Sequence, residues 1–379
     1  MAPGHTTELD WHGRPVLAWV PDPLGAGLAV DDTTLTAART ALAAVVRADA
    51  ALPAQWESLA RILLRTEGIA SSSVEGITAP VAEVFAAELE PGADHDASWI
   101  ADNLAVVDVA QAAGGPLTDE QLHEWHRRLL RHGYLPDDLV GRYRTSPGWI
   151  GGTSPANAAY VPPPADLVPD LMADLVDYAS REDVLDPVVQ AAVVHAQFET
   201  IHPYGDGNGR LGRVLVGWVL ARRLGLERVV PPISVLIARD PGGYLSGLWQ
   251  FREGSLDEWI RWFASIVERA AGATTEVAAE IEALASAWHD RTSGLRADSS
   301  ARAALDVLVA HPVLTAAVLA RELDVSTRSA RTALHTLADL GMVEPYEPQR
   351  PARQARRARP QLWWSAPELL AIVRTWGGA

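Results

Sequence analysis

The chain has no cysteine in its 379 residues, and that one absence removes disulfides, thiolate metal sites and a cysteine nucleophile. Histidine, carboxylates and hydroxyls remain as the available chemistry, so any metal is expected on oxygen ligands. Lysine is missing as well, and every one of the 32 basic side chains is arginine. With the abundance of alanine this reads as compositional bias and carries no mechanistic weight. No apolar run approaches the roughly 18 residues a membrane helix needs, and the first 30 residues lack the basic start and apolar block of a signal peptide. A cytoplasmic protein with no membrane partner is expected. The formal net charge of −16 argues against a chain that coats nucleic acid with its whole surface.

The length exceeds one ordinary core, so two or three domains are expected. From about residue 33 to 113 apolar residues recur at helical spacing, as in Leu42, Val45, Val46 and Leu59, Ile62, Leu63. Residues 1–113 are therefore read as an N-terminal helical region. Gly114-Gly115-Pro116 marks a turn, and Thr118 with Gln121 forms a capping-box pattern that starts a helix through Leu130. Between Gly133 and Pro164 turn residues dominate, and Gly148-Trp149-Ile150 and Ala159-Tyr160-Val161 fit two short strands of a hairpin. Helices are expected over 167–178, 187–200, 210–224 and 256–271. A catalytic domain over 114–272 and a helical linker over 273–297 follow. Beyond the polar break at 291–300, helices near 301–311, 315–323 and 327–340 precede an apolar strand, the pattern of a winged helix-turn-helix over 298–379. That segment holds ten arginines against eight acids, so the part before it carries about −18 by difference from −16.

The segment from Ile201 to Arg213 carries the chemistry. Gly205, Gly207 and Gly209 let backbone N–H groups approach an anion, and the helix that follows adds its unsatisfied donors and positive dipole end. Arg210 and Arg213, three apart on that helix, are placed to clamp one polyphosphate. Asp206 offers a hard oxygen for Mg²⁺, and the Asn208 side chain offers a donor to a phosphate oxygen. His202, largely neutral near pH 7, is suited to take the proton of an attacking hydroxyl. An in-line displacement at phosphorus follows from this constellation.

The run from His202 to Arg213 resembles the Fic family signature His-Pro-Phe-x-Asp/Glu-Gly-Asn-Gly/Lys-Arg-x-x-Arg, with Tyr204 where Phe is usual. The resemblance implies a mainly α Fic-type helical bundle with a small β-hairpin flap. It also implies His202 as base, Asp206 on Mg²⁺, Gly205, Gly207, Asn208, Gly209, Arg210 and Arg213 around the phosphates, and ATP as substrate. Gly209 stands where the related Doc toxins carry Lys, which favours AMP transfer. Segments 141–144, 149–151 and 160–164 look like the family's flap region, the hairpin that aligns a target by strand addition. Tyr244-Leu245-x-x-Leu248-x-x-x-Arg252 resembles the family's nucleoside-binding stretch, with Leu245 in place of Tyr and Arg252 in place of Asn. These departures leave the identity of the transferred nucleotide open.

Ser71-Ser72-Ser73-Val74-Glu75-Gly76 matches the family's inhibitory pattern, and by resemblance Glu75 reaches Arg213 and withholds it from the γ-phosphate, with Ser71 and Gly76 as fixed positions. The expected function is an autoinhibited protein adenylyltransferase acting on a Tyr, Thr or Ser hydroxyl of another protein or of the chain itself. Alternatives are a hydrolase removing AMP, or a nucleotide-sensing transcription regulator. The C-terminal domain reads equally as a weak DNA binder, through Arg328 and Arg331 and a wing with Arg350, Arg353, Arg356, Arg357 and Arg359, or as a packing or target-docking domain. A homodimer is compatible with this reading.

Overall fold

The computed structural model describes residues 4–24, 28–52, 57–90, 95–183, 186–349 and 362–377. It opens with an antiparallel hairpin, β1 (Gly4–Trp11) and β2 (Arg14–Pro21), inside the stretch read from sequence as helical. The two-residue turn His12-Gly13 has φ of 53° and 77°, the doubly left-handed geometry that matches the twist of paired strands. Trp19 N–H donates to Val161 O at 2.9 Å and so ties the hairpin to the flap region.

Helices then follow: α1 (Asp32–Ala51), α2 (Glu57–Val74), α3 (Val81–Leu89), α4 (His95–Gln111) and α5 (Asp119–Leu129). Asp31 caps α1 by accepting from Thr34 N at 2.6 Å. Thr118 and Gln121 cap α5 reciprocally, as their spacing predicts. The flap region is looser than two strands. A single bridge, Ile150 to Tyr160, holds it, because the short apolar runs are separated by two glycines in left-handed conformation, Gly151 and Gly152. After α6 (Val168–Ser180) come α7 (Pro187–Ile201) and α8 (Asn208–Leu224), both buried on nearly all sides and forming the centre of the bundle.

Next come α9 (Ile233–Arg239), α10 (Pro241–Arg252) and α11 (Leu256–Arg291). The last is one continuous helix where two were expected. Gly272 inside it costs about 1 kcal/mol relative to alanine. Buried Phe263, Ile266, Val267, Ala270, Thr274, Val277 and Ile281 keep the helical spacing across it, and each large apolar side chain contributes about 1.5–3 kcal/mol on burial.

The C-terminal module runs α12 (Ser300–Ala310), β3 (Val313–Thr315), α13 (Ala316–Glu322), α14 (Thr327–Asp339), β4 (Glu344–Tyr346), β5 (Trp363–Ser365) and α15 (Pro367–Gly377). Its antiparallel sheet has the order β3-β5-β4. The expected wing arginines, Arg350 to Arg359, lie outside the described residues. This module shares a core with α2, α3, α4 and the end of α11, in which Ile62, Leu63, Phe85 and Ile100 cluster with Trp288 of α11 and with Leu305, Leu308 and Trp363 of the module. Buried Glu83 of α3 accepts from the Tyr346 hydroxyl and, at 3.1 Å, from Gln349 N–H. Among the described residues no helix is long and apolar enough to cross a membrane.

Candidate active site

Helix α7 ends at His202, whose φ of 49° and ψ of 61° turn the chain into the loop. A left-handed non-glycine residue costs about 1–2 kcal/mol, so the surroundings must hold it. Arg144 does this, donating from Nε to His202 O at 2.9 Å, from its backbone N to Pro203 O at 2.8 Å, and from Nη2 to Pro163 O at 2.6 Å. Gly207, with φ of 76°, then starts α8. Leu211 N–H makes an intrahelical bond to Gly207 O. The amides of Asn208, Gly209 and Arg210 precede it, as the donors of a helix N-terminus do.

The loop is braced from below. Asn208 accepts from Tyr204 N and donates to Tyr204 O, both at 2.9 Å. These two bonds let the side chain shape the loop, and the second N–H of the amide is left for the phosphate contact expected from sequence. His126 accepts from Gly141 N at 2.8 Å through Nδ1, so its Nε2–H donates to Asp206 O at 3.0 Å. Burial pushes the His126 imidazole down to about 4, which fits this neutral form. Its ring stacks on Tyr204 with centroids 4.0 Å apart. The Tyr204 hydroxyl bonds His123 Nδ1 at 2.9 Å, giving the departure from phenylalanine a partner.

Two buried guanidinium groups face the loop. Arg210 Nε and Nη1 and Arg213 Nη1 make no hydrogen bond among the described residues. Unpartnered buried donors on a cation are costly, and an anion in the loop would supply their acceptors. Arg213 Nε donates to Ser71 Oγ at 2.9 Å, and Nη2 donates to Ser71 O at 2.7 Å and Glu75 Oε1 at 2.8 Å. Gly76, φ 76°, turns the chain away immediately afterwards. Glu75 Oε1 also lies against the first turn of α8, only 1.9 Å from where a Cβ on Gly209 would sit. Burial pulls the Glu75 carboxyl upward, but the Arg213 guanidinium overcomes it and leaves the group below the usual range.

Asp206 points outward. Its Oδ1 accepts from Gly207 N at 2.7 Å, and Oδ2 lies 3.8 Å from Arg210 Nη2. One exposed carboxylate beside an anion cradle fits Mg²⁺, which is bound by one or two carboxylates together with substrate phosphates.

Tyr244 and Arg252, the expected nucleoside contacts, are both engaged with other side chains. Tyr244 is buried, with its hydroxyl 3.0 Å from His195 Nε2. Arg252 lies over the Tyr160 ring at 3.7 Å and donates to Glu199 O and Thr200 Oγ1 at 3.4 Å. Of the two, Arg252 lies close enough to act on His202. Burial, then Arg144 and Arg252, push the His202 imidazole down to about 4, so its lone pair is free at neutral pH. Sequence reasoning passed over Glu199, His126 and His195. Glu199 had a usable signal, since it stands three residues before His202 and hence on the same face of α7.

Residues 116–220 match the Fic/DOC family profile. The chain carries a Fic domain. A probable protein adenylyltransferase of Aquifex aeolicus is 28% identical over 197 residues, covering 51% of this chain and 57% of that protein. A protein adenylyltransferase of Nematostella vectensis is 31% identical over 155 residues, 40% of this chain and 33% of that one. The chain thus spans less than two thirds of these relatives. A Fic family protein from Desulfovibrio desulfuricans shares the fold at a TM-score of 0.54 and 21% identity, over 89% of this chain and 97% of that one. A Fic domain signaling protein from Bacteroides thetaiotaomicron does so at 0.51 and 20% identity, over 64% and 96%. The matched segment ends within α8, so α9 to α11 and the C-terminal module lie beyond it.

Proposed function

We propose that the chain is a protein adenylyltransferase that transfers AMP from ATP to a Tyr, Thr or Ser hydroxyl of a protein, and that Glu75 inhibits it from within. The reading is supported at family level by the relatives named above. The observation that carries it is the pairing of a neutral imidazole with an anion cradle. His202 stands at the mouth of a loop whose exit holds two buried guanidinium groups with spare donors.

His202 takes the proton of the target hydroxyl through its ring, while the α8 amides and Arg210 hold the phosphates. Mg²⁺, bound through Asp206, would neutralise charge on the diphosphate. Glu75 occupies a donor of Arg213 that a terminal phosphate would otherwise use. Two anions cannot share that cation without repulsion, so phosphates enter displaced. Misplacement near 1 Å costs on the order of a hundredfold in rate.

The test is mass spectrometry of the wild-type and Glu75→Gly proteins after incubation with Mg²⁺ and each nucleoside triphosphate. Added mass identifies the transferred group, and His202→Ala should add none while still binding nucleotide. A Glu75→Gly protein that gains no mass, but fails to release AMP from a modified substrate, would replace transfer by removal. For the C-terminal module, exposed Arg328 and Arg331 on α14 support weak, salt-sensitive DNA binding. Gel shifts of the full chain across salt concentrations check it, and no shift at low salt rejects it.

A further inference from the structure

The mechanism above leaves unused a buried carboxylate beside the base. Glu199 lies on α7 one turn before His202 and is 5% exposed. Its Oε2 is 3.9 Å from His202 Nδ1. Glu199 Oε1 and His202 Nδ1 are both buried without a hydrogen-bond partner among the described residues. A carboxylate and an imidazole N–H are complementary, and an unpaired carboxylate in the interior is expensive unless it has a task. The fold also makes room for this carboxylate. A Cβ on Gly212 of α8 would stand 2.9 Å from Glu199 Oε1 and 3.1 Å from His195 Nδ1, so glycine there lets α7 bring the carboxylate into place.

We propose that Glu199 is the positioning residue of the His202 base. Its carboxylate accepts the Nδ1 proton of His202, which fixes Nε2 as the bare nitrogen toward the hydroxyl. A shift of about 1 Å brings Oε2 into hydrogen-bond range. This rests on the transferase reading above. In the step it serves, the target hydroxyl gives its proton to Nε2 as its oxygen bonds to the α-phosphorus. The bond from that phosphorus to the diphosphate breaks with its electron pair leaving on the diphosphate. The Nδ1 proton stays on the ring, and Glu199 faces the imidazolium with the opposite charge.

The surrounding charges explain why such a partner is needed. Arg144 from the flap region and Arg252 from α10 both oppose a positive His202. Glu75 from α2 favours it, but that residue belongs to the inhibited arrangement. Glu199 is itself pushed up to about 7, first by burial and then by Glu75, while Arg213 and Arg252 pull it down. Departure of Glu75 therefore eases ionisation of Glu199 and strengthens the base at the moment the phosphate site opens. His195 and Tyr244 complete the wall as neutral groups, the former pushed down to about 3 by burial. The competing acceptor for Nδ1 is the main-chain carbonyl of Glu199, which faces the imidazole and already accepts from Arg252.

The experiment compares Glu199→Gln and Glu199→Met in the Glu75→Gly protein. Nitrogen NMR of the His202 ring at pH 7, assigned against His202→Ala, reports which nitrogen carries the proton without requiring turnover. The expected parent tautomer is Nδ1–H. Glu199→Met should lose it and drop kcat by about a hundredfold. Glu199→Gln keeps an acceptor, so it should retain the tautomer and lose about tenfold in kcat for want of charge, with nucleotide KM within about twofold in both. An unchanged tautomer in Glu199→Met assigns Nδ1 to the main-chain carbonyl and overturns the proposal. So does an unchanged kcat in Glu199→Gln, which remains available if the Met variant does not fold. A Glu75→Gly parent that transfers nothing sinks the transferase reading, and the tautomer measurement still decides the role of Glu199.

Discussion

Glu75 Oε1 accepts from Arg213 Nη2 at 2.8 Å and thereby ties the C-terminal end of α2 to the second turn of α8. The two partners differ in freedom. Arg213 is fully enclosed and also held by Ser71 through Nε and Nη2, whereas the Glu75 side chain is 39% exposed. Removing the carboxylate should leave the guanidinium in place with donors to spare. Glu75→Gly is therefore expected to raise transfer by about tenfold or more. Arg213→Ala should abolish that gain in the double variant, because the clamp itself is gone. A time course with labelled ATP on wild type, both single variants and the double variant measures this.

The pH dependence of that release has a definite sign. Glu75 titrates below its ordinary range in the folded protein. Its contact is fully present above the unfolded carboxylate pKa of about 4.3 and is lost only as pH falls through the lower folded value. The ratio of Glu75→Gly to wild-type rates should hence stay well above one from about pH 6 to about pH 8.5, and be larger toward the acidic end, where Glu75 helps keep Glu199 protonated in the wild type alone. A ratio that collapsed toward one within that window would show that something other than this ion pair sets the inhibition.

Tyr204 tests whether the loop depends on its hydroxyl. The ring stacks on His126, and the hydroxyl bonds His123 of α5. Tyr204→Phe keeps the stack and loses one hydrogen bond, so stability should fall by about 0.5–1.5 kcal/mol. Transfer in the Glu75→Gly background should stay within about twofold. Urea titration and the labelled-ATP assay separate the two effects.

Much of the site was legible because its signals are local. His202, Gly207, Arg210 and Arg213 act through positions fixed by one loop and one helix, and the caps at Asp31 and Thr118 depend on residues three away. What escaped notice depends on distant partners. That Asn208 also braces the loop through Tyr204 N and O is visible only once the chain folds back on itself. The contact of Tyr244 with His195 joins α10 to α7 across 49 residues and leaves no local signal. The first hairpin rests on a His-Gly turn that is easily missed beside five helical segments. That α2 serves both the anion site and the core of the C-terminal module is a tertiary fact, with Ser71 and Glu75 facing α8 while Ile62 and Leu63 join Leu305 and Leu308. Helical periodicity marks an apolar face without naming what covers it.

Glu83 reports on that shared core without touching the anion site. Its buried carboxylate is the acceptor for both the Tyr346 hydroxyl and Gln349 N–H. Glu83→Ala removes the acceptor of the half-buried Tyr346 hydroxyl and of the exposed Gln349 N–H, and each lost hydrogen bond costs about 0.5–1.5 kcal/mol. A melting temperature lower by several degrees is expected, with the transfer rate of the folded protein unchanged. Calorimetry and the transfer assay on the same sample check both halves.

The contact between Gly209 and Glu75 permits a test of the inhibited geometry that needs no activity. A methyl group at position 209 would lie 1.9 Å from Glu75 Oε1 and 3.1 Å from Arg213 Nη1. Arg213 is anchored by Ser71 and cannot yield easily, while the partly exposed end of Glu75 can. Gly209→Ala should therefore expel the carboxylate and lose the ion pair. In the Glu75→Gly protein nothing remains to be expelled. Gly209 lies in the first turn of α8 and its φ is not in the left-handed region, so alanine there should be neutral or stabilising by about 0.4–1 kcal/mol through the unfolded chain. The two substitutions are thus expected to be non-additive. Their coupling should be about 0.5–3 kcal/mol, and the exposure of Glu75 places it toward the lower end. Denaturant unfolding of wild type, both single variants and the double variant gives the coupling directly. Additive effects would mean that Glu75 does not rest against Gly209 in solution, and would remove the steric half of the inhibited arrangement.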